Sequence, residues 1–309
     1  MNLVVALGGN ALLSKGEKLS VQNQLKNASR AMKSVSSLVK LSDCLVLTFG
    51  NGPQVGQIML RNSAAFGSGK ENVSLEVSVA ESQGQIGFVL EQALLNELLQ
   101  KKISKKVVNI LTHVIVDKKD PAFANPAKPV GPFYSKKKAL ALMKKGIAMK
   151  EDALRGYRVV VASPKPLEIL EQKPISDFSS DYIVIACGGG GIPLIRKRGK
   201  LVGVPAVIDK DLSSALLARN LKADVLLMLT AVKAVFLNFG KKNQIPISRM
   251  SLREAKEFLR QGHFLSGSMQ PKILAAIDFI EGGGKKAIIC DLTDGPLALK
   301  GLAGTTIFK

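Results

Sequence analysis

Tryptophan is absent from the 309 residues, and tyrosine, cysteine and histidine occur three, three and two times. His113, in an apolar stretch, and His263 offer too little material for imidazole catalysis or a zinc cluster. Cys44, Cys187 and Cys290 are odd in number, match no metal-knuckle spacing and each sit in or beside an apolar run. They read as buried free thiols in a reducing compartment. No apolar stretch approaches the roughly 20 residues of a membrane span. The first residues, Met1-Asn2-Leu3-Val4, carry no basic n-region or cleavage site. The expectation is a cytoplasmic chain with no membrane partner.

Acidic residues are also scarce, 24 against 44 basic ones, for a net charge of +20. Such an excess suits nucleic acid or anionic lipid. The lysines, however, come as scattered doublets and one triplet, Lys136-Lys137-Lys138, between apolar segments and away from the few aromatics. They read as a solvated surface, without a nucleic-acid partner, and an anionic small substrate is the more economical reading.

What remains is an alternation of apolar strands and amphipathic helices from end to end, without internal repeats. Strands are expected at Val4–Leu7, Cys44–Phe49, Val107–Val116, Tyr157–Ala162, Tyr182–Ala186, Ala206–Ile208, Asp224–Leu229, Ala234–Leu237, Ala287–Cys290 and Thr305–Phe308. Helices are expected at Leu19–Leu41, Pro53–Arg61, Val73–Lys101, Ser251–Arg260 and Ser268–Ile280. Continuous apolar strands alternating with helices predict an α/β fold: a three-layer αβα sandwich around an open, mostly parallel sheet. Ligands in such folds sit at the carboxyl ends of the strands.

The glycine clusters fall at those ends. Gly8-Gly9-Asn10 follows the first strand, and Gly50-Asn51-Gly52-Pro53 follows the second, with Pro53 well suited to a first helical turn. Two such turns suit a small anion, but neither contains a Lys or Arg. A third cluster, Gly188 to Gly191, invites a dinucleotide reading, with Asp209 at about the right distance for a ribose acid. Its context refuses it: Pro193 and Ile-Arg-Lys-Arg-Gly-Lys continue as an irregular or hairpin segment, where a dinucleotide loop must open a helix. The G-x-x-x-x-G-K-[ST] pattern is absent. Asp209-Lys210-Asp211 stands at a strand-to-helix junction, as N-capping acids or as a lysine reaching a phosphoryl group that an Asp positions. Phosphoryl transfer needs mainly placement and positive charge.

Nine stretches, in order, resemble the carbamate kinases of the amino acid kinase family over essentially the whole chain. They are A-L-G-G-N-A (6–11), G-N-G-P-Q-V-G (50–56), A-E-S-Q-G-Q-I-G-F (80–88), D-P-A-F-A-N-P-A-K-P-V-G-P-F-Y (120–134), C-G-G-G-G-I-P (187–193), A-V-I-D-K-D (206–211), L-T-A-V-K-A-V-F-L-N-F-G (229–240), G-S-M-Q-P-K-I (267–273) and A-G-T-T-I (303–307). The N-P-x-K-P-x-G-P-F-Y element distinguishes carbamate kinases from other members.

The resemblance implies one domain over 1–309 with a small protruding subdomain at about 117–152. It implies reversible phosphoryl transfer between ATP and carbamate, giving ADP and carbamoyl phosphate, with Mg²⁺ on the nucleotide. It further implies a homodimer working toward ATP synthesis in arginine catabolism. By the same likeness Lys128, on a Pro-stiffened arm, supplies the cation missing beside Gly8. Lys210 and Lys272 bear on the phosphoryl group and nucleotide phosphates, and Asp209 organises the lysines. Gly8, Gly9, Asn10, Gly50, Asn51 and Gly52 hold carbamate and its phosphoryl group. Asp209, Lys210, Thr230, Ala231, Val232, Val235, Phe236, Met269 and Lys272 serve the nucleotide, and no residue is assigned as a metal ligand. Phe49 stands where many relatives have His, and Lys233 replaces an expected acid. Two other readings stay open: a different amino acid kinase-family phosphotransferase acting on a carboxylate, and a non-catalytic basic binding protein on the same fold.

Overall fold

A computed structural model describes residues 1–14, 16–66, 73–151, 156–265 and 267–309, without the Asn10 and Phe66 side chains. Its centre is an eight-stranded sheet. From edge to edge the strands are Arg249–Ser251, Thr305–Phe308, Lys286–Asp291, Val225–Thr230, Asn2–Leu7, Cys44–Phe49, Tyr182–Ile185 and Lys106–Asn109. The six from Lys286–Asp291 to Lys106–Asn109 run parallel. Thr305–Phe308 is antiparallel to Lys286–Asp291 and parallel to Arg249–Ser251.

Alternation along the strands explains the layers. Val4, Ala6, Val46, Val184, Leu226, Met228, Ala287 and Ile289 face one apolar core, which includes Ala215 and Leu217 of the helix Lys210–Asn220 and Ile273 and Phe279 of the helix Met269–Glu281. Their neighbours Leu3, Val5, Leu7, Leu45, Leu47, Ile183, Ile185, Leu227 and Ile288 face a second core with Val21–Leu38 and Leu75–Gln100. Both faces are buried, so the strands read as unbroken apolar runs. This is the α/β sandwich the sequence predicts. Among the described residues no helix is long and apolar enough to cross a membrane. Cys187 and Cys290 are buried free thiols and Cys44 is partly buried; burial pushes the Cys290 thiol up to about 12.

Two expectations need correction. Val107–Val116 is two strands, Lys106–Asn109 in the central sheet and His113–Val116 in a four-stranded sheet beside it. A side chain sits at the break: the buried Gln83 amide accepts from the Thr112 N–H (2.8 Å) and donates to the Thr112 carbonyl (3.0 Å), which also accepts from the Ile192 N–H (2.9 Å). Ala206–Ile208 is no strand; only Ala206 bridges, to Ala162. Its apolar side chains are buried, and the run serves as a buried lead into the Lys210–Asn220 helix. Val235–Leu237 pairs with Ile245–Ile247 outside the central sheet. The segment after Pro193 is a hairpin, Ile192–Lys197 with Lys200–Gly203.

Residues 128–161 include a small antiparallel sheet, Lys128–Tyr134, Tyr157–Val161 and Met149–Glu151, with the helix Lys136–Met143. Asp152, the last residue of the expected protruding segment, lies outside the described residues.

Gln83→Ala removes the partner of the buried Thr112 N–H, while the Thr112 carbonyl keeps the Ile192 N–H (2.9 Å). Unfolding in urea is expected to show a stability loss of about 1–3 kcal/mol, with the helical content of the native state unchanged.

Candidate active site

The site begins where the strands end. Leu7 and Phe49 are register partners in adjacent parallel strands, so the turns that follow them lie side by side. The Gly50 N–H donates to the Leu7 carbonyl (3.3 Å), and the Gly8 N–H donates to the Leu229 carbonyl (2.8 Å). Gly9–Ala11 forms a single 3₁₀ turn, and Gly52 opens the helix Gly52–Phe66. The Asn10 backbone belongs to that turn; its side chain lies outside the described residues. Asn51 is buried, its amide donating to Ser82 Oγ (2.8 Å).

The Gly188–Gly191 cluster explains how these groups come so near one another. Gly189 has φ +62°, and a Cβ there would overlap the Asn51 amide. A Cβ on Gly190 would fall 2.5 Å from the Ile208 carbonyl oxygen. The cluster is thus a thin wall between Asn51 and the chain entering Asp209. Phe49 lies buried beneath Gly188, where aromatic carbons fill the space a side chain would need. Lys233 is exposed.

Asp209 caps the Lys210–Asn220 helix, its carboxylate accepting from the Asp211 N–H (2.9 Å). Its other oxygen accepts from Lys128 Nζ (2.9 Å), which arrives from the small sheet. Asp211, on the first helical turn, bridges two lysines: Oδ1 accepts from Lys210 Nζ (2.6 Å) and Oδ2 from Lys272 Nζ (3.0 Å). The Lys210 stem runs alongside Gly50 on its way to Asp211. Lys128, Asp209, Lys210 and Lys272 are therefore assembled in one array, from positions far apart in the chain.

Asp211 is the member that sequence reading passes over; it looked like one of two capping acids. The available signal was its place on the first turn after a buried apolar lead. Lys210 and Asp211 are 9% and 3% exposed, so the lysines meet a carboxylate in a poorly solvated space. Burial disfavours the Asp211 anion, but the Lys210 and Lys272 ammoniums overcome this and hold its carboxyl well below the usual carboxylate range. Asp209 is also lowered: burial and the Asp211 charge oppose ionisation, while the Lys128 charge and hydrogen bonds prevail. Burial lowers Lys210, with the Lys272 charge adding to it, whereas the Asp211 carboxylate raises Lys272 against its burial. Three cations and two anions leave one net positive charge facing the glycine turns.

Beyond Thr230, the last residue of its strand, an apolar cavity is lined by Val232, Ala234, Phe236, Phe239, Phe264 and Met269, among others. Val232, Phe236 and Met269 are thus brought together as expected. Val235 is fully buried instead, its N–H donating to Thr305 Oγ1 (2.8 Å), and Ala231 is exposed. Thr230 and Ala231 do not line the cavity. Phe239 and Phe264 were missed because they lie on separate segments that only the fold brings to one cavity.

Removing Asp211 strands two partly desolvated ammoniums. Asp211→Ala is expected to destabilise the fold by about 3–5 kcal/mol in urea titration. Asp209→Ala, at a more open carboxylate with one lysine partner, is expected to cost clearly less in the same titration.

Known proteins match this architecture along its full length. A carbamate kinase of Clostridium perfringens is 46% identical over 314 residues, covering 100% of both chains. One of Thermococcus kodakarensis is 44% identical over 313 residues, 99% of each. The solved carbamate kinase of Giardia lamblia bound to AMP-PNP superposes with a TM-score of 0.91 at 43% identity, covering 100% of this chain and 98% of that one. The model of the amino acid kinase family matches residues 1–291, and this chain belongs to that family of kinases.

Proposed function

We propose that this protein is a carbamate kinase, transferring a phosphoryl group reversibly between ATP and carbamate to give ADP and carbamoyl phosphate. The observation that carries the reading is the Lys128–Asp209 and Lys210–Asp211–Lys272 array, set at the strand ends between two glycine turns and an apolar cavity. The full-length likeness to proteins named carbamate kinase supports the choice of substrate.

Carbamate presents an anionic oxygen, so it attacks the γ-phosphorus without a base to remove a proton. ADP leaves as an anion and needs no acid. The scarcity of histidine therefore costs this chemistry nothing. What the reaction requires is in-line placement and charge stabilisation of a metaphosphate-like transition state. In this reading the N–H groups of Gly8, Gly9, Asn10, Gly50, Asn51 and Gly52 cradle carbamate and the moving phosphoryl group. Lys128 and Lys210 neutralise charge on its oxygens, and Lys272 holds the nucleotide phosphates. The apolar cavity accepts the adenine. Asp209 and Asp211 keep the lysines apart and aimed.

Both carboxylates are engaged by lysines, and among the described residues no group of three His, Cys, Asp or Glu could hold a metal. This donor set fits an Mg²⁺ carried by the nucleotide phosphates, where it would neutralise phosphate charge. Carbamoyl phosphate is a mixed anhydride of high transfer potential, so ATP formation is the favoured direction, as suits the last step of arginine catabolism in the cytoplasm. Residues 1–309 act as one domain, with 117–152 as the arm that presents Lys128. A homodimer is supported by Val77, Phe88, Leu95 and Leu99, exposed apolar residues at helical spacing on Leu75–Gln100.

ATP formation from MgADP and carbamoyl phosphate tests the assignment. The wild type is expected to turn over, and Lys128→Ala to lose on the order of 10²–10³ in kcat with the KM for ADP little changed. Absence of ATP in the wild type would exclude the reaction.

Lys210 sits below the ordinary lysine range, so rising pH removes its proton before that of Lys272, which is raised. The alkaline limb of kcat/KM is therefore expected to fall at lower pH than an ordinary lysine would give. Lys210→Arg is expected to move that limb upward, whatever its effect on the plateau.

A further inference from the structure

The arm that carries Lys128 meets the body of the protein backbone to backbone. Gly56 is buried one turn into the Gly52–Phe66 helix, which begins at the second glycine turn. Gly131 lies three residues beyond Lys128 in the strand Lys128–Tyr134. A Cβ on Gly56 would overlap both Cα and N of Gly131. No side chain separates the helix from the strand at this point.

The surroundings keep the two chains there. Val55 and Val130, next to the glycines, are buried in one apolar cluster with Val79, Ile192 and Val207. Val207 is two residues before Asp209, so the same cluster joins the base of the arm, the helix behind the glycine turn and the segment leading to the Lys128 partner. Strand pairing changes register between Val130 and Tyr134, and within that interval Gly131 has φ +73°. Its carbonyl accepts from Arg158 Nε (2.9 Å). The strand thus bends where it touches Gly56, and the freed carbonyl is satisfied.

From this geometry we infer that the bare Gly56–Gly131 seam sets the reach of Lys128, with Gly56 the positioning residue for phosphoryl transfer and Gly131 the surface it closes on. The inference rests on the proposed role of Lys128. Ordinary carbon contact requires about 3.5–4.0 Å, so a methyl on Gly56 must push the strand away. Lys128 Nζ then leaves its place 2.9 Å from Asp209. The two glycines are not equivalent. A Cβ on Gly131 meets Gly56 Cα at 3.7 Å, an ordinary contact, and its penalty comes from the positive φ. Alanine at 56 therefore displaces the arm, whereas alanine at 131 mainly strains its own backbone.

The test is a double-mutant cycle on ATP formation from carbamoyl phosphate and MgADP, with wild type, Gly56→Ala, Lys128→Ala and the double variant. Gly56→Ala is expected to lower kcat about 10–100-fold, leave the KM for ADP within about twofold, and have no further effect on the Lys128→Ala enzyme. Gly131→Ala is expected to lower Tm while keeping kcat within about threefold of wild type. Val130→Ala, which loosens the same seam without adding bulk, runs the same cycle should Gly56→Ala fail to fold, and its kcat loss is likewise expected to vanish without Lys128. An equal loss in both backgrounds, or a Gly56→Ala enzyme with wild-type kcat, overturns the seam and leaves the role of Lys128 standing. Full activity in Lys128→Ala overturns that role first, and the seam with it.

Discussion

Three ammonium groups held close together at the end of a sheet repel one another unless anions are built in among them. Here the anions are two carboxylates at the start of one helix, Asp209 as cap and Asp211 within its first turn. The helix N-terminus favours negative charge at both positions. Asp211 is almost wholly buried, and it divides its two oxygens between Lys210 and Lys272. Burying such a triad is worthwhile only when every charge has a close partner. The glycine wall, the buried lead from Ala206 and the Met269–Glu281 helix that carries Lys272 all meet at this array.

The array has two parts of different openness. Lys210, Asp211 and Lys272 form its enclosed floor. The Lys128–Asp209 pair has side chains about one-fifth exposed and couples the floor to a separate small sheet. In the proposed reaction, an anionic phosphoryl group entering between the glycine turns would meet one uncompensated positive charge. Under that proposal it would draw Lys128 from Asp209 without disturbing the triad below. Rigid charge beneath and an adjustable charge above suit a reaction in which a dianionic group moves between two anionic oxygens.

The sandwich was legible because its strands are apolar on both faces, and local pattern reports that directly. The same logic misread Ala206–Ile208, whose burial comes from filling a core and not from pairing. It also joined Lys106–Asn109 to His113–Val116, since Gln83, which sits at the break between them, lies more than twenty residues upstream. The Gly188–Gly191 cluster was recognised as no dinucleotide loop from the segment after it. What it does instead, letting Asn51 and Ile208 approach, is set by neighbours distant in sequence.

Taken alone, the sequence determined the class of fold, the strand-end position of the glycine turns and, through ordered motifs, which lysines and aspartate to expect in the array that the fold assembles. These rest on local periodicity, turn chemistry and short patterns, all of which are written within a few residues. Tertiary structure decided that Asp211 bridges Lys210 and Lys272, that Phe239 and Phe264 complete the apolar cavity, and that Gly56 touches Gly131. Each joins residues on different elements. Their meeting depends on the register of the sheet and the packing of helices upon it, which no single stretch of chain encodes.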